Sequence, residues 1–300
     1  MTRPSNAPDD LRFAALRSQD VPDALHLSDQ AGWNQTEGDW RRLLDLQPEG
    51  ALGAWHEGRL IASATYVAFG RAVHWIGMVL VDPAYRGRGV GGAIFGRLME
   101  ASLAAQPACV GLDATEYGAG LYRRNGFVPV GPIDRWSGHL QGSDAAQRMD
   151  AHAARGALQA DALRASDLAA VSALDRRVLE VDRSALLQHL ADEPDVRAWV
   201  TRDDDGPTGH AWLRPGRTHW HLGPAVASSD AAFAALLRAA ATALDGAPVF
   251  MDAPRREPTT DALNAAGLSL ARNLTRMTYQ TAQHALVGEG VRLATGFEWG

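Results

Sequence analysis

The second half of this 300-residue chain repeats the order of segments found in the first half. The stretch LRFAALRSQD, which begins at Leu11, returns as LQADALRASD at Leu158. The run VHWIGMVLV, which begins at Val73, returns as THWHLGPAVA at Thr218, so the offset stays at roughly 147 residues. A repeat of this length predicts two similar domains that arose by duplication, with a chance likeness between two generic α/β segments as the alternative.

Each half alternates short apolar runs with amphipathic segments, which predicts a mixed α/β fold around a sheet. The polar, alanine-rich stretch at residues 141–156 is typical of a linker. We therefore expect an N-terminal domain over residues 1–140 and a C-terminal domain over residues 157–300. Both lengths match the usual size of a single domain.

The segment DPAYRGRGVGG, from Asp82 to Gly92, carries the strongest functional signal. A strand-like run ends there, and a glycine-rich loop leads into an amphipathic helix. The first backbone N–H groups of a helix lack intrahelical partners and lie at the positive end of its dipole. Glycine lets a phosphate approach that backbone closely. The segment therefore predicts an anion-binding loop, with Arg86 and Arg88 at its rim.

Two patterns compete for this loop. The dinucleotide fingerprint G-x-G-x-x-G fits only with the last spacing wrong, and no acidic residue follows at the distance that it requires. The pattern R/Q-x-x-G-x-G/A fits Arg86 to Gly91 at every position. A second signature, L-Y-x-x-x-G-F, appears as LYRRNGF from Leu121 to Phe127. With both signatures in order, the chain resembles the GNAT family of acyl-CoA-dependent N-acyltransferases.

The ending LATGFEWG is similar to the tail of a tandem GNAT subgroup, whose second domain is degenerate. The resemblance implies a tandem GNAT fold and direct transfer of an acyl group, usually acetyl, from acetyl-CoA to an amine. It implies that Tyr122 protonates the leaving thiolate and that the backbone near Met78 polarises the thioester carbonyl. Core packing is the alternative role for the Tyr122 ring. The residues expected to contact the coenzyme are Met78, Val79, Leu80, Val81, Arg86, Gly87, Arg88, Gly89, Val90, Gly91 and Asn125.

The amine acceptor must lose a proton, so a base is expected. The first candidates are His74 and Asp113, and Glu37 and Glu57 follow them. A histidine at the edge of a strand is the more frequent explanation of His74, and capping of the next helix is the alternative for Asp113. Trp33 and Glu37 are also expected to line the substrate site, although Glu37 also suits the first turn of a helix.

The second half departs from the coenzyme pattern at the corresponding loop. It reads GPAVASSD over residues 223–230, without an arginine or a glycine cluster. Asp230 would repel a diphosphate, and Pro224 has no N–H to donate. We expect the second half to cover the acceptor side or to stabilise the first half, and not to bind the coenzyme.

Composition restricts the remaining function classes. None of the 29 basic residues is a lysine, which excludes Schiff-base chemistry and the phosphate-binding lysine of a P-loop. A net charge of −6 argues against nucleic-acid binding. Cys109 is the single cysteine, and the pair His219 and His221 lacks an evident third ligand, so no metal site is predicted.

No apolar run approaches the roughly 18 residues of a membrane span, and the N-terminal residues lack the apolar core of a signal peptide. We therefore expect a cytoplasmic protein without a membrane partner, as a monomer or homodimer, that acts on a small-molecule amine. Two alternatives stay open. One is an acyl-CoA-binding sensor without turnover, and the other is a nucleotide-binding protein that uses the same loop.

Overall fold

The computed structural model describes residues 8, 10–140, 158–281 and 285–300, so the predicted linker at 141–156 lies outside the described residues. The mixed α/β prediction is confirmed. The strands are β1 (Arg12–Ala15), β2 (Ala51–His56), β3 (Arg59–Phe69), β4 (Val73–Val81), β5 (Cys109–Ala114), β6 (Phe127–His139), β7 (Ala160–Ala162), β8 (Arg197–Asp203), β9 (Gly206–Arg214), β10 (Trp220–Ala227), β11 (Pro248–Pro254), β12 (Ser269–Tyr279) and β13 (Val291–Leu293). The helices are α1 (Val21–Gln30), α2 (Glu37–Leu46), α3 (Val90–Ala104), α4 (Glu116–Arg124), α5 (Leu168–Leu179), α6 (Ser184–Asp192), α7 (Asp230–Leu244) and α8 (Glu257–Ala265). Of these described helices, none is long and apolar enough to cross a membrane.

The strands form one continuous mixed sheet in the order β1-β2-β3-β4-β5-β12-β6-β11-β10-β9-β8-β7, with β13 paired to β10. Strand β12 of the second half lies between β5 and β6 of the first half. Strand β6 in turn pairs with β11 of the second half. From one edge, the first-half strands β1 to β5 are followed by β12 of the second half. From the other edge, the second-half strands β7 to β11 are followed by β6 of the first half. The domain limits at residues 140 and 157 stay a prediction, because these exchanged strands join the halves.

Side chains on β4 alternate between two packing faces, as a strand requires. Trp75 packs in a core that includes Trp40 of α2. Ile76 points to the opposite face and packs with Ile94 of α3. The core around Trp75 also takes in Leu174 of α5, so apolar packing continues from the first half into the second. Strand β4 therefore separates a face covered by α3 from a face shared between the halves.

Candidate active site

Strands β4 and β5 part in the middle of the sheet. They pair in parallel only from Val73 opposite Cys109 to Ile76 opposite Leu112. Just beyond, the register between β3 and β4 shifts, and Met78 adopts a φ of 48°. The Ser63 hydroxyl donates a 2.8 Å hydrogen bond to the Met78 carbonyl and holds this bulge. Within the described chain, β4 beyond Ile76 thus presents a strand edge on which an extended ligand can pair.

The glycine-rich loop follows directly at the end of β4. Gly87 and Gly89 have φ values of 75° and 89°, which favour glycine. A Cβ at Gly87 or at Gly92 would meet no heavy atom within 4 Å, so the backbone is open to a ligand. Helix α3 begins after Gly89 without a side-chain cap. Its first N–H groups are therefore available to an anion.

The two loop arginines differ in position. The Arg86 Nε donates a 2.9 Å hydrogen bond to the Val81 carbonyl and so ties the loop to the end of β4. The Arg88 guanidinium lies 5.5 Å from the centre of the Tyr85 ring. Both side chains are exposed, so the loop carries positive charge at its rim. Such charge favours an approaching diphosphate.

Tyr122 of α4 is buried on the α3 face of the sheet. Its ring centre lies 5.1 Å from that of Phe95 and 6.2 Å from that of Phe127. Burial raises the pKa of Tyr122 above its usual value, so the hydroxyl keeps its proton at neutral pH. Asn125 follows at the exposed end of α4, where its amide donates to the Leu121 carbonyl at 2.9 Å.

The two residues first considered as bases are both buried and partnered. His74 Nδ1 lies 2.9 Å from the Ser102 hydroxyl, and burial lowers the pKa of His74. Its ring also stacks on that of Tyr66, with centres 4.9 Å apart. Asp113 makes a two-pronged ion pair with Arg276 of β12, at 2.9 and 2.8 Å. These contacts favour structural roles for His74 and Asp113.

In the second half, the gap beside β10 and the start of α7 are both occupied by other residues of the same half. Strands β10 and β11 pair only at Trp220 and His221 before they part. Strand β13 then pairs with β10, with Val291 opposite Val226. Helix α7 begins with a cap, because the Ser229 hydroxyl accepts from the Ala232 N–H at 3.2 Å. These contacts support the prediction that the second half does not bind the coenzyme.

A polar recess lies between the halves, on the face of the sheet opposite α3. It combines the α1–α2 connection and α2 with strands of both halves and the final segment of the chain. Its lining residues are Asn34, Gln35, Asp39, Arg135, Arg214, Pro215, Gly216, His221 and Glu298. Asn34 joins the halves there, because its Nδ2 donates to the His219 carbonyl at 2.8 Å and its Oδ1 accepts from the Thr218 N–H at 2.9 Å.

Two buried carboxyl groups in this recess differ in electrostatics. Burial raises the pKa of Glu298, against the opposing effect of Arg214, whose NH2 lies 3.4 Å from Glu298 Oε1. For Asp39, the desolvation of burial is outweighed by Arg42 and Arg214, so its pKa is lowered. Arg42 donates to Asp39 at 2.8 Å. Asp39 is therefore held ionised, whereas Glu298 can exchange a proton closer to neutral pH.

The residues expected to line the substrate site lie beside this recess. The Trp33 carbonyl accepts a 3.1 Å hydrogen bond from Arg217 of the second half. Glu37 is exposed in the first turn of α2 and pairs with Arg41. Sequence reasoning did not name the residues that line the recess, because the recess joins distant segments of both halves. The only local signal was the carboxylate in the ending LATGFEWG.

Comparisons with known proteins give the same family for both halves. The family described as "Acetyltransferase (GNAT) domain" matches residues 48–129 and, separately, residues 171–287. An uncharacterized N-acetyltransferase of Bacillus subtilis (strain 168), YitH, is 28% identical over 231 residues, which is 75% of this chain and 77% of the relative. A holothin acyltransferase of Pseudoalteromonas sp. (strain SANK 73390) is 25% identical over 224 residues, or 74% of this chain and 71% of the relative.

Solved structures extend the likeness to the tandem arrangement. A crystal structure from Pyrococcus horikoshii, of a protein named provisionally as an acetyltransferase, has a TM-score of 0.80 at 18% identity. The superposition covers 100% of this chain and 99% of the Pyrococcus chain. A tandem GNAT protein from the clavulanic acid biosynthesis pathway has a TM-score of 0.66 at 16% identity, covering 90% of this chain and 98% of its own. These likenesses concern the fold. Together with the two family matches, they show that this chain belongs to the GNAT acetyltransferase family and carries two GNAT domains in tandem.

Proposed function

We propose that the protein transfers the acetyl group of acetyl-CoA directly to the amine of a small-molecule acceptor. The observation that carries the proposal is the difference between the halves. In the first half, β4 parts from β5 beside an uncapped α3, whereas β13 and Ser229 close the same features in the second half. One coenzyme site per chain is the expected result.

The residues of the first half fit the chemical parts of acetyl-CoA, which supplies the activated acyl group. The backbone from Gly87 to Gly91, with the start of α3, suits the diphosphate. The edge of β4 from Met78 to Val81 suits the amide-containing pantetheine arm, which can pair like a strand. Tyr122 holds a proton that a leaving thiolate can take.

The polar recess supports a small acceptor. It is buried between the halves and lined by charged groups from both of them. A long peptide would need an open groove, but Asn34 bridges to Thr218 and His219 across this side. The cavity volume is about 10 Å³, so the recess suits the amino group of a compact amine, whose remaining atoms would lie outside it.

A binding measurement and a turnover measurement test the proposal separately. Isothermal titration calorimetry with coenzyme A is expected to give one site per chain. Thiol release from acetyl-CoA is then followed across a panel of primary amines: aryl amines, amino sugars, polyamines and amino-acid esters. At least one amine should accelerate thiol release above the rate without acceptor. Binding without acceleration by any amine would favour a sensor, and no binding would overturn the coenzyme site as well.

A further inference from the structure

We propose that the recess around Glu298 is the subsite for the acceptor's amino group, and that Glu298 is the general base that takes its proton. This inference rests on the proposed acetyl transfer. It assigns to the final segment of the second half a catalytic group for the site of the first half.

Glu298 lies directly against the bulge of β4. A Cβ placed on Gly77 would come within 2.7 Å of the Glu298 Cα and 2.9 Å of its Cβ. Gly77 is the first β4 residue beyond the last pair with β5, and it precedes the left-handed Met78. The Glu298 carboxyl carbon is two bonds from its Cβ. The Cα and Cβ of Glu298 therefore lie beside the point where the strands part, on the face opposite α3, and its carboxylate oxygens contact Arg214 and Gln35.

Neighbouring contacts anchor this final segment. The Trp75 indole N–H donates a 3.0 Å hydrogen bond to the Phe297 carbonyl, and Arg135 lies 4.4 Å from the centre of the Phe297 ring. The Trp299 side chain is fully buried. These contacts fix the position of Glu298 relative to β4, as a catalytic carboxylate requires.

The groups that face Glu298 come from several elements. Arg214 of β9 approaches Oε1 at 3.4 Å, and the Gln35 amide donates to Oε2 at 3.2 Å. Arg135 of β6 lowers the pKa of Glu298, and Asp39 of α2 raises it. The contacts that Arg214 and Gln35 make with the carboxylate are long for hydrogen bonds. Arg135 instead donates to Asp252 at 2.7 Å, and Arg214 also donates to the Gly223 carbonyl at 2.9 Å. The carboxylate thus retains capacity to accept hydrogen bonds from a ligand.

Two further polar atoms of the recess lack partners among the described residues. They are the Gln35 side-chain oxygen and the His221 Nε2, both buried and without a hydrogen bond; the Nε2 lies 3.9 Å from Asp252 Oδ2. Burial and nearby arginines lower the pKa of His221 well below its usual value, so the ring is neutral. The amide oxygen accepts hydrogen bonds, and the Nε2 of a neutral imidazole accepts one when the ring proton is on Nδ1. With the carboxylate, they form a set of acceptors that matches the N–H groups of a primary amine.

The proposed reaction transfers the acetyl group directly from the coenzyme sulfur to the amine nitrogen. The amine nitrogen attacks the thioester carbonyl carbon, the C–N bond forms and the C–S bond breaks. The proton leaves the nitrogen for Glu298, which later releases it to solvent. The thiolate takes a proton from Tyr122, which regains one from solvent, so the products are the N-acetyl amide and the free thiol of coenzyme A.

The test compares Glu298→Gln with the wild type, using the best weakly basic aryl amine from the panel. Such an amine stays neutral over the pH range, so an acid limb in kcat/KM reports a base on the enzyme. Glu298→Gln is expected to lower kcat/KM by roughly 10²- to 10⁴-fold at neutral pH and to abolish that limb. Coenzyme A affinity should stay within about twofold, because the coenzyme loop lies on the other face.

Glu289→Gln is the matched control, since Glu289 is exposed in the same final segment of the chain. It should leave rate and pH profile unchanged. Glu298→Asp keeps the charge and should recover part of the rate with the acid limb retained. Loss of coenzyme A affinity in Glu298→Gln, or an unchanged pH profile, would overturn the role of Glu298. Absence of coenzyme binding in the wild type would instead remove the proposed function.

Discussion

At the scale of single residues, the partners of each buried ionisable group indicate its role. Asp113 is fully committed to Arg276, and His74 is bonded to Ser102 with a lowered pKa. Tyr122 differs, because its ring is surrounded by aromatic side chains and its hydroxyl stays protonated. A proton donor adds only modestly to the rate, because thiolates are good leaving groups near neutral pH. We therefore propose Tyr122 as the proton donor, and its raised pKa makes it a weak acid whose contribution to the rate is modest.

Replacing Tyr122 with Phe removes this proton donor and keeps the packed ring. We expect Tyr122→Phe to lower kcat by roughly 10- to 100-fold, at the low end of acid catalysis, with coenzyme A affinity within about twofold. Steady-state kinetics and calorimetry measure the two quantities. Tyr117→Phe is the matched control, because Tyr117 lies on the same helix with 83% of its surface exposed. Equal kcat values for the two variants would remove Tyr122 from the mechanism.

Residue-scale predictions from sequence succeed where the determinants are local. The family signatures around Gly87 and Tyr122 depend on loop and helix positions that are near one another in the chain. The partner of Asp113, by contrast, is 163 residues away, on a strand whose pairing no pattern in β5 reveals. The same reason hid Glu298, whose role depends on contact with Gly77.

At the scale of elements, helices α3 and α7 occupy matching positions and begin differently. Helix α3 starts at Gly89 in a left-handed conformation without a side-chain cap, whereas Ser229 caps α7. Asp230 of α7 also pairs with Arg292 at 2.7 Å. A capped helix start with an acidic side chain disfavours anions, and an open glycine start favours them. The sequence predicted that the second half lacks an anion-binding loop, but it did not reveal that β13 closes the gap beside β10.

A pair of glycine variants tests the importance of the open start of α3. Gly89→Ala introduces a Cβ at a φ of 89°, which forces the loop backbone to change. We expect coenzyme A affinity to fall about tenfold or more, as measured by calorimetry. Gly70→Ala is the control, because Gly70 also has a positive φ, of 60°, and a Cβ there would meet no heavy atom within 4 Å. It should cost about 1–2 kcal/mol of stability and leave affinity unchanged. Equal affinities in both variants would contradict the assigned loop.

At the scale of the whole molecule, the exchanged strands make the halves interdependent. Strand β12 contacts β5 and β6 of the first half, and Arg276 on β12 is the buried partner of Asp113. Arg276 also donates to the carbonyls of Ala285 and Leu286. The repeat in the sequence predicted two similar halves, but not that their last strands cross over. Pairing partners in a sheet depend on contacts that are distant in sequence, which periodicity does not encode.

Replacing Arg276 tests the ion pair that connects β12 to the first half. Arg276→Ala leaves Asp113 buried without its cation, so we expect a loss of about 3–5 kcal/mol in the free energy of unfolding. Urea denaturation measures this loss, and it should show one transition that includes both halves. Arg272→Ala on the exposed side of β12 should change stability by less than about 0.5 kcal/mol. Two separate transitions, or equal stabilities for the two variants, would contradict the interdependence.

The position of β12 also sets an order of events during synthesis. Strands β5 and β6 leave the ribosome well before residues 269–279 exist. At roughly 5–20 residues per second, the interval is on the order of ten seconds. During that time the edge of β5 that β12 will cover has no native partner, and unpaired edges favour aggregation. We therefore expect the nascent first half to be most prone to aggregation until β12 has been translated.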